Sequence, residues 1–222
     1  MPFIFNTTST PLAFVWAPIL PGDLLKQKAL FAARHDRLAA ISKRHQYQSE
    51  KAPIAINAAE FNTLVQGADD DDYLIAHFTC DDGSKLFGNM SIYLSIRDKN
   101  SLYGAKSNII DVNGTVVHEP DVLVGIANHT LRKSDIKILA KFPEYDLDPI
   151  GRAHKIDANM KTEINHMCAG KAQIYAHFIL EVEEWQGHRL SVAFSAASDI
   201  EADLANNNGR GYNHGSACCP IG

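Results

Sequence analysis

Two regions of the chain share one order of hydrophobic and polar positions. After Asn57 and again after Asp157, apolar residues recur at helical spacing, and two runs of alternating apolar and polar residues follow. Asn and Asp are favoured N-cap residues, because their side-chain oxygens accept hydrogen bonds from the first free N–H groups of a helix. The pattern predicts helices at 58–66 and 158–167, each followed by a β-hairpin. The predicted strands are 73–80 with 86–97 and 172–184 with 190–196.

These two regions also match residue by residue when the numbering is shifted by 100. The matching segments are Ile56-Asn57-Ala58 with Ile156-Asp157-Ala158, Ala76-His77-Phe78 with Ala176-His177-Phe178, and residues 91–95 with residues 191–195. Three matches in one register indicate an internal duplication. We therefore expect an α+β protein built of two similar helix-plus-β-hairpin halves, packed as one globular unit, with mostly antiparallel strands.

The flanking segments are predicted from cap and turn residues. Asp23 caps a long amphipathic helix, and Glu119-Pro120-Asp121 opens a shorter one. Asn113-Gly114 is a favoured hairpin dipeptide, so residues 109–117 are predicted to form two strands around it. The apolar run 136–142 predicts one more strand.

The elements predict three parts of the chain. Residues 1–105 form the first half, with the long N-terminal helix, a helix and a hairpin. Residues 106–205 form the second half, with a hairpin, helices and a long hairpin. Residues 206–222 are predicted to be an irregular C-terminal tail, because residues 206–211 are turn-forming.

Composition limits the partners. The chain has 21 basic and 26 acidic residues, a formal charge of −5, so it lacks the basic field that holds nucleic acid or an anionic membrane. No apolar run approaches the roughly 20 residues that span a bilayer. A classical signal peptide begins with a positively charged region, but no basic residue precedes Lys26. We expect a soluble protein, cytoplasmic or exported without a classical signal peptide, with neither nucleic acid nor membrane as a partner.

The histidines are the first candidates for chemistry. There are ten of them, and His77 and His177 occupy equivalent positions in the two regions. If a pseudo-twofold axis relates the halves, both imidazoles face one central cleft, where they act as acid and base or bind a metal. The alternative is that each histidine only packs within its sheet.

The cysteines are the second candidates. Cys218 or Cys219 is a candidate nucleophile, with His77 or His177 as its base. Adjacent cysteines seldom ligate one zinc ion together, and His77 and Cys80 point to opposite faces of a strand. The sequence therefore identifies no ligand set, and the metal and cofactor stay unknown. The run Asp69 to Asp72 lacks the alternating ligands of a calcium loop and is interpreted as a solvated turn.

Two functional hypotheses follow, and the sequence leaves open whether the protein is an enzyme. The first is a binding or assembly protein that uses the duplicated sheet surface to contact a protein partner or to self-associate. The alternative is a hydrolase or toxin-like effector with a Cys/His or metal-assisted site. Its candidate catalytic residues are His77, His177, Cys218 and Cys219.

Overall fold

A computed structural model describes residues 17–42, 46–80, 89–140, 151–183, 187–200, 211–213 and 216–217. These residues form five helices and twelve strands. The helices are α1 Pro21–Ser42, α2 Gln46–Ser49, α3 Ala58–Gln66, α4 Glu119–Ala140 and α5 Ala158–Cys168. The strands are β1 Ala17–Ile19, β2 Ile54–Asn57, β3 Tyr73–Cys80, β4 Met90–Asp98, β5 Ser101–Ala105, β6 Ile109–Ile110, β7 Val116–Val117, β8 Gly151–Lys155, β9 Gln173–Glu183, β10 Gly187–Ser195, β11 Gly211–Asn213 and β12 Ser216–Ala217.

The strands form two sheets. One sheet has the order β1-β11-β10-β9-β2, and the other has the order β12-β8-β3-β4-β6-β7, with β5 also paired to β4. Every strand pairing within the described residues is antiparallel. Helices combined with antiparallel sheets confirm the predicted α+β class.

Local caps and turns form where the sequence predicts them. Asn57 Oδ1 accepts hydrogen bonds from the backbone N–H groups of Ala59 and Glu60 at the start of α3. Asp157 Oδ1 accepts one from Met160 at 2.7 Å at the start of α5. Gly114, with a φ of 88°, turns the chain between β6 and β7. These predictions are confirmed, because each depends on partners only a few residues away.

Strands β2 and β8, which precede α3 and α5, each pair with the hairpin of the other half. In the first sheet Ile56 of β2 lies opposite Ile174 of β9. In the second sheet His154 of β8 lies opposite Leu74 of β3. Each sheet is therefore completed by a strand from the other half of the chain.

One hydrophobic core joins the two halves. It contains buried side chains of α3 and α5 and the inner faces of β3, β4, β9 and β10. The rings of Phe61 on α3 and Phe194 on β10 lie 5.2 Å apart between centroids. Full burial of a Leu, Ile or Phe side chain contributes about 1.5–3 kcal/mol, so this shared core is the main contribution that holds the halves together.

Helices α1 and α4 cover the outer faces of the sheets. Leu24 of α1 packs with Ile179 and Ala193, and α4 packs Val122 and Ile126 on the second sheet. A Cβ at Gly125 would lie 2.9 Å from the Cβ of Thr79, so glycine lets α4 lie this close to β3. In the described part of the chain, no helix has the length and hydrophobicity needed to cross a lipid bilayer.

Three predictions are corrected. Helix α4 spans 22 residues and is not short, and it includes 136–140, where a strand was expected. A short apolar run fits either a strand or a buried helical segment, and no proline or glycine interrupts this one. The described residues of the predicted irregular tail form β11 and β12. Their hydrogen-bond partners are distant strands, which local composition does not encode.

Candidate functional site

His77 lies on β3 and His177 lies on β9, and the structure does not bring the two histidines together. Ala76, Phe78 and their counterparts 100 residues later point into the shared core. Because side chains alternate along a strand, both histidines point away from that core, toward opposite outer faces. Thr79, which shares the face of His77, lies against α4, whereas Ile179, which shares the face of His177, packs with α1.

Each histidine contacts a serine of the neighbouring strand. The Nε2 atom of His77 lies 2.9 Å from Ser95 Oγ, and that of His177 lies 2.9 Å from Ser195 Oγ. His177 Nε2 also lies 3.1 Å from the carbonyl oxygen of Ala197, to which the Ser195 hydroxyl donates at 2.8 Å. A carbonyl oxygen only accepts, so His177 carries its proton on Nε2. That proton position prevents His177 from accepting the serine proton as a general base.

Burial changes the titration of both imidazoles. Loss of solvation, together with the nearby Arg97, lowers the pKa of His77 to about 3. Loss of solvation, together with Lys28, lowers the pKa of His177 to about 4. An efficient general acid or base has a pKa near the working pH. Both side chains are neutral at pH 7 and are suited to packing and hydrogen bonding.

Cys218 and Cys219 lie outside the residues that the structure describes. Cys168 at the end of α5 is buried, and burial raises the pKa of its thiol to about 11, which disfavours the reactive thiolate. Over the described ranges, no group of three His, Cys, Asp or Glu side chains is arranged to hold a metal ion.

A buried polar cluster that sequence reasoning missed surrounds Glu50. Both carboxylate oxygens accept hydrogen bonds from the guanidinium of Arg132. One oxygen also accepts from the backbone N–H of Met90 at 3.0 Å, and the other contacts His35 Nε2 at 3.1 Å. These four contacts tie together α1, α4, the residue after α2 and the start of β4.

The electrostatics of this cluster favour a charged Glu50. Burial raises the pKa of Glu50, but hydrogen bonds from His35 and Arg132 outweigh it and hold that pKa at about 2. Burial lowers the pKa of His35 to about 4 despite its hydrogen bond to Glu50. Arg132 neutralises the carboxylate of Glu50, and each carboxylate oxygen contacts two polar groups. The cluster therefore has a structural role.

Cys80 and His129 lie on the other side of Arg132. The sulfur of Cys80 is 3.9 Å from His129 Nδ1 and 3.8 Å from Arg132 Nη1. All three side chains are at most 2% exposed. A cavity of about 130 Å³ lies next to Glu50, lined also by Met90. Ligand pockets usually measure about 300–1,000 Å³, so this space suits a few water molecules better than a substrate.

The aspartate run forms a turn whose charges are paired with lysines. The pairs are Asp69 with Lys106 at 2.8 Å, Asp70 with Lys161 at 2.9 Å and Asp71 with Lys155 at 2.7 Å. A cleft of about 410 Å³ lies beside this turn. The Lys106 ammonium in that cleft also lies 3.2 Å from Asp72 and 3.6 Å from Asp98. The carboxylates are thus neutralised by the chain itself, which agrees with a solvated turn.

An exposed apolar surface lies on α4. Leu123, Val124, Ala127 and Leu131 are all exposed and fall within about 100° of the helix surface, and we call these four residues the α4 stripe. The exposed fractions of Val124 and Leu131 are 54% and 53%. Contiguous apolar patches on a protein surface are typical of interaction sites.

Comparison of the sequence with protein-family models and with curated proteins, and of the fold with solved structures, gave no match.

Proposed function

We propose that this chain is a binding and assembly protein whose copies contact one another through the α4 stripe. The observation that carries the proposal is the concentration of exposed apolar side chains on one face of α4. Three of the six large hydrophobic residues that stay exposed in the described part of the chain lie on this face. The other three, Leu20, Ile41 and Val116, are scattered.

The contact is assigned to a helix because the described side chains of the central strands leave no open sheet face. The strands β3 and β4 are mostly buried on both sides, and so are the described side chains of β9 and β10. Helices α1 and α4 cover the outer faces. The interaction expected of the duplicated sheet surface is therefore proposed for the helix that lies on it.

We also infer an internal duplication, which extends to the long helices. His77 lies opposite Tyr93 in the first hairpin, and His177 lies opposite Ala193 in the second, which is the same register 100 residues later. Helices α1 and α4 both have 22 residues, and they align with a shift of 98. The identical pairs in that alignment include Asp23 with Asp121, Leu25 with Leu123, Ala29 with Ala127, and the buried Arg34 with Arg132.

This alignment provides an internal control for the α4 stripe. Where α4 has Val124 and Leu131, the equivalent positions of α1 have Lys26 and Ala33, and both of these residues are exposed. The same fold position therefore tolerates a charged and a small residue. Packing within the chain does not require the apolar residues of α4, which supports a role in contact between molecules.

A second copy is the partner that the stripe fits. A twofold contact needs only one patch, because the same residues serve both copies. Antiparallel helices that cross at the small Ala127 place Leu123 of each copy opposite Leu131 of the other. The acidic residues Glu119 and Asp121 then lie at opposite ends of the contact and do not repel each other. Because the patch is small, the association is weak and reversible.

The hydrolase alternative has less support in the described geometry. The buried imidazoles of His77 and His177 are neutral at pH 7, and they face opposite sides of the core. Neither histidine lines the cavity beside Glu50 or the cleft beside the aspartate run. A nucleophile and its base need to meet at a place that a substrate reaches.

The test uses a variant that copies the α1 surface onto α4. In Val124→Lys/Leu131→Ala, two stripe residues become the residues that α1 carries at the same positions. Sedimentation velocity over a range of protein concentrations should show reversible dimers for the unmodified chain and monomers for this variant. Ile41→Lys, which changes an exposed apolar residue outside the stripe, should leave the dimer unchanged. A chain that stays monomeric at every concentration, or a dimer that persists in the double variant, contradicts the proposal.

A further inference from the structure

The turn between β6 and β7 contains the only asparagine that directly precedes a glycine in the described part of the chain. Asn113 is exposed, and Gly114 follows it with a φ of 88°. The turn joins Ile110 to Val116, which lie opposite each other in the hairpin. Asparagine is a thermolabile residue, and its amide carbon is open to attack by the backbone nitrogen of the next residue.

The side chain of Asp111 holds this turn. Its Oδ1 atom accepts hydrogen bonds from the backbone N–H groups of Asn113 and Thr115, both at 2.8 Å. Its Oδ2 atom accepts one from Asn113 Nδ2 at 3.5 Å. The N–H group of Gly114 donates to the carbonyl oxygen of Asp111 at 3.1 Å. Attack by the Gly114 nitrogen on the Asn113 side chain therefore costs one backbone hydrogen bond of an exposed turn.

Glycine at position 114 favours this attack. Gly114 has no Cβ that would shield its nitrogen, and its backbone reaches conformations that other residues avoid. The asparagines inside helices are protected, because the nitrogen that follows each of them donates a hydrogen bond within the helix. These protected asparagines are Asn62 of α3, Asn128 of α4 and Asn165 of α5.

We propose that Asn113 is a site of spontaneous deamidation, which converts it to aspartate and isoaspartate in the folded protein. The backbone nitrogen of Gly114 attacks Cγ of Asn113 and forms a new C–N bond. The bond between Cγ and Nδ2 breaks, and Nδ2 leaves as ammonia with the proton that the Gly114 nitrogen loses. Water then opens the resulting cyclic imide at either of its carbonyl groups. The net reaction consumes one water molecule and releases one ammonia molecule, so it needs no oxidant and no cofactor.

The reaction changes both the charge and the backbone of the turn. The new carboxylate lies beside that of Asp111, to which the Asn113 amide donates before the reaction, and like charges repel each other. Isoaspartate also adds a methylene group to the main chain, in a turn whose length sets the register of the hairpin. The hairpin packs Ile109 against Val122 of α4. Deamidation should therefore weaken the contact between this hairpin and the start of α4.

Peptide mapping of incubated protein tests the proposal. The folded chain is incubated at neutral pH and digested, and mass spectrometry with fragmentation distinguishes aspartate from isoaspartate. A sample without incubation corrects for conversion during digestion. Asn113 should convert to both products while Asn62, Asn128 and Asn165 stay intact. Every sample carries Asn208→Gln, because the pair Asn208-Gly209 lies outside the described residues.

The matched control variant is Asn113→Gln, whose longer side chain disfavours closure of the imide ring. The thermal midpoint of the chain with Asn113 should fall during incubation, and that of Asn113→Gln should stay constant. An Asn113 that stays intact as long as Asn62 does overturns the proposal, and so does conversion that occurs only in urea. Formation of aspartate without isoaspartate also contradicts it, because direct hydrolysis by water, without attack by Gly114, gives that product alone.

Discussion

Glu50 and Arg132 form a bidentate ion pair in which both side chains are 1% exposed. The two residues are 82 positions apart in the chain. Together with His35 and the backbone of Met90, they connect helices α1 and α4 to the first residue of β4. Because the guanidinium and the carboxylate compensate each other's burial, removal of one partner leaves an uncompensated charge in the interior.

Substitution of Glu50 by Gln should therefore destabilise the fold strongly. Loss of one partner of a buried ion pair typically costs about 3–5 kcal/mol, and urea denaturation measures this as a lower free energy of unfolding. The exposed pair of Asp36 with Lys51 is the control. Asp36→Asn should lower the free energy of unfolding far less, because water screens exposed charges. Equal losses for Glu50→Gln and Asp36→Asn would show that the buried pair has no special role.

Stability should fall as the pH is lowered below about 6.5. In the folded chain the pKa is about 3 for His77 and about 4 for His177, against 6.5 for an unperturbed imidazole. Between these values the unfolded chain binds protons that the folded chain does not, so protonation favours unfolding. The loss is on the order of 3 kcal/mol per imidazole by pH 4, and the contribution is complete and constant above pH 6.5.

Urea denaturation at several pH values measures this slope. His77→Gln and His177→Gln should each flatten this slope. Glu50 adds a second loss below pH 4.5, because its pKa of about 2 lies below the ordinary value of 4.5. A proton NMR titration that finds His77 or His177 half-protonated near pH 6.5 would refute the prediction.

Two glycines with positive φ should differ in their tolerance of alanine. Gly114 has a φ of 88°, and a Cβ there would lie 2.2 Å from Cγ of Glu60, whereas Gly170 has a φ of 68° and open space around it. Gly170→Ala adds only backbone strain, about 1–2 kcal/mol. Gly114→Ala adds a steric clash as well and should lower the thermal midpoint further. The opposite order of the two midpoints would mean that the hairpin moves away from Glu60 at little cost.

Two fragments of the chain, 1–145 and 146–222, should not fold separately. Strand β2 lies on β9 and strand β8 lies on β3, so fragments 1–145 and 146–222 each lack a strand that their sheet requires. We expect no cooperative unfolding transition for either fragment and recovery of one when they are mixed, as measured by near-ultraviolet circular dichroism. A fragment with dispersed amide NMR signals on its own would show that it folds without the strand that the other fragment supplies.

The sequence predicts what depends on near neighbours. Asn57 and Asp157 cap helices because their partners lie two or three residues ahead. Alternation on β3 already separates His77 from Phe78 and so assigns the histidine to the face opposite the core. Alternation does not show which element covers that face. The expectation that His77 and His177 face one cleft could therefore not be checked from the sequence.

The tertiary structure decides everything that depends on contacts between distant parts of the chain. The alternating pattern of β2 is compatible with pairing to its own half, but β2 pairs with β9 and contributes Ile56 to the shared core. Residues 136–140 belong to the continuous helix α4, and β12 is a strand because β8 offers it an edge to pair with. Glu50 and Arg132 meet because the turn after α2 and helix α4 carry them to one buried place, where their charges compensate each other. Local composition contains no information about such a meeting, since its energy depends on burial that exists only after folding.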